Sequence, residues 1–183
     1  MKRLLVPAIV AMFTLWTSPA PAAEPATLRA VGTKNGVIQG SGPDGNIAVI
    51  ACEHEIVSPR DPASGLPTGK RQHKPFVITK EVDKASPVLY QVLVTNENLT
   101  TVELKVFRTD PAGGGKPLHV YTVKLTNASI ASIRHWKPST KDPATIANGF
   151  AEYEEISFTY QKIEWTWVDG GITASDDWEA PVQ

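Results

Sequence analysis

Residues 68–90, TGKRQHKPFVITKEVDKASPVLY, decide the fold: a basic turn, a strand and a capped helix in immediate succession. Phe76, Ile78 and Lys80 alternate with Val77, Thr79 and Glu81, which is the period of two of a pleated strand. Ser86 offers an N-cap hydroxyl, and Pro87 at the first helical position loses no needed N–H. Val88, Leu89, Val92 and Leu93 then recur at helical spacing, so one apolar stripe requires a sheet to lie on.

Outward from this unit, strands dominate. Residues 36–40 predict a short first strand, Gly42, Pro43, Asp44 and Gly45 a turn, and residues 46–57 a longer second strand. Residues 58–69, SPRDPASGLPTG, hold three prolines and two glycines in twelve positions, so they are expected to stay out of any ladder and project as a long loop. Loops of that length within compact domains are often functional. Further on, Val102, Leu104 and Val106 alternate with polar neighbours, residues 110–115 reverse the chain, and Tyr121, Val123 and Leu125 alternate again. Residues 129–136 predict another strand, stopped by Pro138, and residues 141–149 a loop. In the last strand Ile156, Phe158 and Tyr160 share one parity while Ile163, Trp165 and Trp167 share the other. That phase flip at Gln161 and Lys162 predicts a bulge or sharp bend. The expectation is a mainly β protein: a closed or nearly closed β-barrel of two antiparallel sheets with one short α-helix packed alongside.

The 183 residues are 42% hydrophobic and 20% charged, the composition of one globular domain. The first segment stands apart. Lys2 and Arg3 precede an apolar run over residues 4–16, and Ala20, Pro21 and Ala22 form a small-residue cleavage site. Residues 1–22 therefore read as a secretory signal peptide cut between Ala22 and Ala23, residues 23–36 as a flexible lead-in, and residues 37–183 as the folded domain. An over-extended gene start, with Met12 as the alternative, is the competing account. The apolar run is too short to span a bilayer as a helix, so no stable membrane insertion is expected.

Net charge is −1, and removal of Lys2 and Arg3 leaves 16 basic against 19 acidic residues. No basic footprint invites nucleic acid. Cys52 is the single cysteine, which excludes an internal disulfide and reads as a small buried hydrophobe. Glu53, His54 and Glu55 suggest acid–base chemistry, but on a strand the glutamates face away from the histidine, so solvated strand charges are expected. His73, His119 and His135 lie on separate elements without metal-binding spacing. The run Gly113, Gly114, Gly115, Lys116 lacks both the first glycine and the Ser or Thr of a phosphate loop. Trp165, Trp167 and Trp178 are expected in core or subunit contacts. No catalytic residue, metal or cofactor is expected.

Several stretches in order resemble the haemolysin-coregulated protein (Hcp) family of bacterial type VI secretion. They are Glu53-His54-Glu55, residues 73–87 (HKPFVITKEVDKASP), Phe107-Arg108-Thr109, residues 121–128 (YTVKLTNA), residues 154–165 (EEISFTYQKIEW) and Asp176-Asp177-Trp178. The resemblance runs from about Gly36 to the C-terminus. It implies a barrel flanked by a helix, hexameric rings stacked into a tube, export of the tube protein, effectors carried in the lumen, and spike and sheath proteins as further partners. It implies no catalytic residues. Within the proline-rich loop, Arg60, Asp61, Pro62 and Leu66 are the candidate ring-stacking residues, with Arg60 and Asp61 expected to dock on the adjacent ring. The polar strand face of Thr122, Lys124 and Thr126 is the expected kind of lumen lining. A cleaved signal peptide departs from the family's pattern, which leaves a mis-called start, an exported paralogue or a seldom-used leader. An exported monomeric binding protein built on the same barrel is the alternative function.

Overall fold

The computed structural model describes residues 26–110, 116–143 and 152–178, so the expected signal peptide and the Ala22–Ala23 cleavage site lie outside the described residues. In chain order the strands are β1 (Ala26–Gly32), β2 (Gly36–Ile38), β3 (Ile47–Val49), β4 (Ala51–Glu53), β5 (Ile56–Val57), β6 (Gln72–His73) and β7 (Phe76–Glu81). Helix α1 (Ser86–Val94) follows, then β8 (Leu99–Thr109), β9 (Pro117–Trp136), β10 (Tyr153–Trp167) and β11 (Ile172–Asp177). Nine strands form one antiparallel sheet with the path β2-β1-β8-β9-β10-β7-β4, with β3 also on β1 and β11 also on β10; β5 and β6 pair separately.

Two expectations are corrected. The segment 23–36 is not a flexible lead-in throughout, because β1 lies inside the sheet, against β8 on one edge and β2 and β3 on the other. Its Leu28 and Ala30 are wholly buried. ATLRAVG has little strand propensity of its own, and it is the paired neighbours that make it a strand. The second strand, expected over residues 46–57, divides into β3, β4 and β5. β3 pairs with β1, β4 pairs with β7, and between them the Ile50 N–H donates to the Thr79 carbonyl at 2.8 Å.

The buried face changes parity where the sequence changes phase. Along β10, Ile156, Phe158 and Tyr160 are buried, then Ile163. On β9 the buried set passes from Val123 and Leu125 to Ala128 and Ile130 in step. Thr100, Asn127 and Gln161 fall between paired positions on β8, β9 and β10, forming a row across three strands. Asn127 has φ +50 there, and its side-chain amide donates to the Gln161 side-chain Oε1 at 2.7 Å. A left-handed asparagine thus sits in the row where the buried face changes parity.

Leu89 and Val92 of α1 are buried, with Val88 and Leu93 packed against the core, so the apolar stripe is used as its spacing requires. The cap is different from the expected one. Ser86 does not cap the helix; Asp83 does the equivalent work. Its Oδ1 accepts from the Ala85 N–H at 3.0 Å, while Ser86 Oγ accepts from the Asp83 N–H at 3.0 Å, a reciprocal arrangement like a capping box. Ser86 Oγ is drawn inward because it also donates to Glu154 Oε2 at 2.6 Å, and Lys80 Nζ lies 2.9 Å from the same oxygen. Lys80 and Glu154 are both buried, a pair that holds β7 to β10.

Candidate assembly site

The proline-rich segment is more ordered than a loop. β5 and β6 form its root through Ile56↔His73 and Val57↔Gln72, and an isolated Arg60↔Pro67 bridge carries the pairing further out. The Asp61 N–H donates to the Leu66 carbonyl at 2.9 Å, and the Thr68 N–H to the Pro59 carbonyl at 3.0 Å. Residues 58–71 therefore make a two-stranded arm. At the tip, Asp61 Oδ1 accepts from the N–H of Ala63 and Ser64 at 3.0 and 2.7 Å and from Ser64 Oγ at 2.8 Å. These bonds, the Ser64 N–H foremost, hold the Asp61 carboxyl below its usual range. Pro62 presets the first central turn position, and Gly65 closes the turn at φ +71. Arg60 spans the tip to the Gly65 carbonyl at 3.0 Å. Arg60 and Asp61 thus order the turn itself, while Leu66 is 65% exposed at its end.

At the arm's root the fold assembles a cluster that spacing alone does not reveal. β4 ends at Glu53, so His54 is released from strand alternation. The expectation that Glu53, His54 and Glu55 are merely solvated strand charges is corrected for His54, whose Nε2 lies 2.6 Å from the Tyr160 hydroxyl. His73 Nδ1 lies 2.8 Å from the same hydroxyl, and His73 Nε2 lies 2.7 Å from Asp176 Oδ2. Arg71 Nε also donates to Asp176 Oδ2, and its terminal nitrogen to the Asp177 carbonyl at 2.7 Å. The Trp178 ring packs tilted against His73, centroids 5.2 Å apart, and a cavity of about 230 Å³ beside them is lined by Lys74, Pro75, Thr159 and Trp178. Burial, and then the Asp176 charge, pushes the Tyr160 phenol well above its usual range. The readable signal was the parity of Tyr160 with Ile156 and Phe158, which sets it on the buried side of β10; the pairing of Ile163 on β10 with Asp176 on β11 emerges only in the fold.

Other expected residues distribute as follows. Cys52 is exposed on β4 rather than buried, because β4 is a sheet edge. Lys124 is exposed on β9, flanked in register by Glu103 of β8 and Glu164 of β10, with Thr122 and Thr126 beside it on the same face. Trp165 packs against the core, and Trp167 carries the Arg108 guanidinium 5.5 Å from its ring centre. The run Gly113–Gly115 lies outside the described residues, although β8 and β9 on either side pair as a hairpin. Among the described residues no three His, Cys, Asp or Glu side chains are placed to hold a metal.

The described residues thus form a broad antiparallel sheet with an ordered arm and a charged, threonine-lined strand face. The chain belongs to the Hcp family: the family described as "Type VI secretion system effector, Hcp" matches residues 28–167. It is 40% identical over 173 residues to the "Major exported protein" of Pseudomonas aeruginosa, covering 87% of this chain and 98% of that one. Among solved structures, a crystal structure of an Hcp protein superposes with a TM-score of 0.76 at 33% identity, covering 85% of this chain and all of that one. The secreted Hcp3 of Pseudomonas aeruginosa gives 0.68 at 34% identity, over 86% of this chain and all of that one. The protein is accordingly a secreted type VI component of a structural family.

Proposed function

We propose that the chain is the subunit of the type VI inner tube: it closes into hexameric rings, the rings stack, and the tube is secreted with effectors in its lumen and no catalysis of its own. The observation that carries this reading is the arm. An exposed segment that satisfies its own turn and ends in an exposed leucine is prepared for docking, since little ordering entropy remains to be lost on contact. The acceptor is a different surface of another copy, the heterologous contact that rings and stacks require.

Two further features support it. The segment from β3 to β4 bonds to β1 at one end and β7 at the other, which favours a sheet closed into a barrel, a rigid unit for a ring. The row Glu103, Lys124, Glu164 with its neighbouring threonines offers a hydrated, charge-balanced face suited to a lumen. Spike, sheath and effector proteins are the remaining partners.

The test is assembly. Size-exclusion chromatography with light scattering should give about six subunits per particle, and electron microscopy should give tubes. Deleting residues 61–66 should leave rings and abolish long tubes; tubes that persist would remove the arm from stacking. A folded protein that stays monomeric at high concentration would instead favour an exported binding protein. Mass spectrometry of the mature N-terminus decides whether the chain is cut between Ala22 and Ala23.

A further inference from the structure

The cluster at the arm's root has a direction. Asp176 Oδ2 accepts from Arg71, so it is a carboxylate, and His73 Nε2, 2.7 Å from that oxygen, must carry a proton. In neutral His73 the Nδ1 is then an acceptor, and only the Tyr160 hydroxyl is in place to donate to it, at 2.8 Å. The Tyr160 oxygen is left to accept from His54 Nε2–H at 2.6 Å. The result is one ordered relay, His54 to Tyr160 to His73 to Asp176, with every bond oriented by the next.

Its placement is as informative as its direction. His54 lies just before β5, His73 lies in β6, and the Lys74 N–H donates to the Glu55 carbonyl at 2.9 Å, so both strands of the arm are gripped where they leave the body. Tyr160 belongs to β10 and Asp176 to β11. One hydroxyl therefore joins the two arm strands to the main sheet and, through His73, to the edge strand that ends it.

We propose that this relay is the lock that positions the arm, with Tyr160 as the positioning residue, and that protonation of both histidines releases it. This deepens the stacking reading and rests on it only for its effect on tubes. Because His54 Nε2–H already points at the Tyr160 oxygen, a proton added at His73 Nδ1 makes both rings donors toward it, and the Tyr160 proton loses its acceptor in a place where the His73 side chain is 2% exposed. Charge acts the same way. Arg71 from the arm already meets Asp176 of β11, Lys74 lies beyond it, and Asp177, Glu53 and Glu55 stand at the margins. Two imidazolium ions and a guanidinium would then surround one carboxylate. Burial, and then the neighbouring His73, already hold His54 below its ordinary value of 6.5.

Hydrogen exchange on the full-length protein tests the lock, corrected for the intrinsic pH dependence of exchange and compared at about pH 8 and about pH 5, on either side of the ordinary imidazole value. Amides of β5, β6 and β11 should lose roughly tenfold or more of their protection at the acid end. His73→Gln can offer an amide N–H to Asp176 and an amide oxygen to the Tyr160 proton and cannot be protonated, so its protection should persist in acid. Tyr160→Phe should lose it at both values while the core amides of β9 stay protected. If His73→Gln opens over the same range as the parent chain, or the parent does not open, the lock is overturned. Tube counts on the same samples separate the two ideas: protection that follows this pattern while tubes do not respond upholds the lock and overturns stacking by the arm.

Discussion

Lys80 illustrates what a single residue can and cannot announce. Its parity with Phe76 and Ile78 was legible, and that parity places it inside the protein. What no local pattern supplied was Glu154, 74 positions away, which makes a buried lysine tolerable. Removing one partner of such a pair leaves a buried charge uncompensated, whereas replacing both need cost little. Lys80 Nζ also lies 2.8 Å from Asp83 Oδ1, which keeps part of its charge compensated, so Glu154→Gln should lower stability by about 1–3 kcal/mol in urea unfolding, and Lys80→Met with Glu154→Leu by less. The relay predicts a pH dependence with a definite sign. The folded chain holds His54 below 6.5, so the unfolded chain takes up the proton first, and stability falls as pH drops through 6.5 toward the folded value. Asp176 is held low, by its Arg71 hydrogen bond above all, so its contribution is present above 3.8 and is lost only as pH falls through its folded value. Acid titration of stability should thus show a histidine-driven loss first, which His54→Gln flattens, and a carboxylate-driven loss at lower pH.

At the level of elements, periodicity succeeded wherever one face is buried and the other wet. The alternation in β7 and the flip in β10 both correspond to buried faces, and the flip marks a row shared with β8 and β9. β1 escaped the reading because a strand held on both edges needs no pattern of its own, only partners in place. The arm escaped it for the opposite reason. Its prolines do keep it out of the main sheet, but a short side ladder and the turn centred on Asp61 order it locally. The row across β8, β9 and β10 is open to test through Asn127, the residue at φ +50. Asn127→Gly should be nearly neutral in thermal unfolding, because glycine adopts that conformation freely. Asn127→Val should cost about 1–3 kcal/mol, since a β-branched side chain resists the left-handed region.

For the whole molecule, the question raised by the proposed tube is which surface would meet another copy, and within the expected segment the structure gives the named residues different surroundings. Charged Arg60 and Asp61 looked like docking groups, yet Arg60 bonds to the Gly65 carbonyl and Asp61 holds three donors of its own turn. Their bonds to Ala63, Ser64 and Gly65 of the turn could not be read without the fold. Leu66, less conspicuous in the sequence, is the large apolar group the turn leaves in water. Apolar anchors that enter a pocket carry more docking energy than exposed charges, whose pairing is screened. The two kinds of change should therefore separate. Leu66→Asp touches no internal bond, so the melting temperature should move little, within about 0.5 kcal/mol of stability, and rings should survive in size-exclusion chromatography. Tubes should be lost, because a carboxylate cannot enter an apolar pocket without a partner. Asp61→Ala should loosen the tip instead, raising exchange at Ala63 and Ser64, and shorten tubes only as far as the disordered turn can still close on docking. Tubes of normal length from Leu66→Asp would transfer the contact from the arm's tip to the sheet faces.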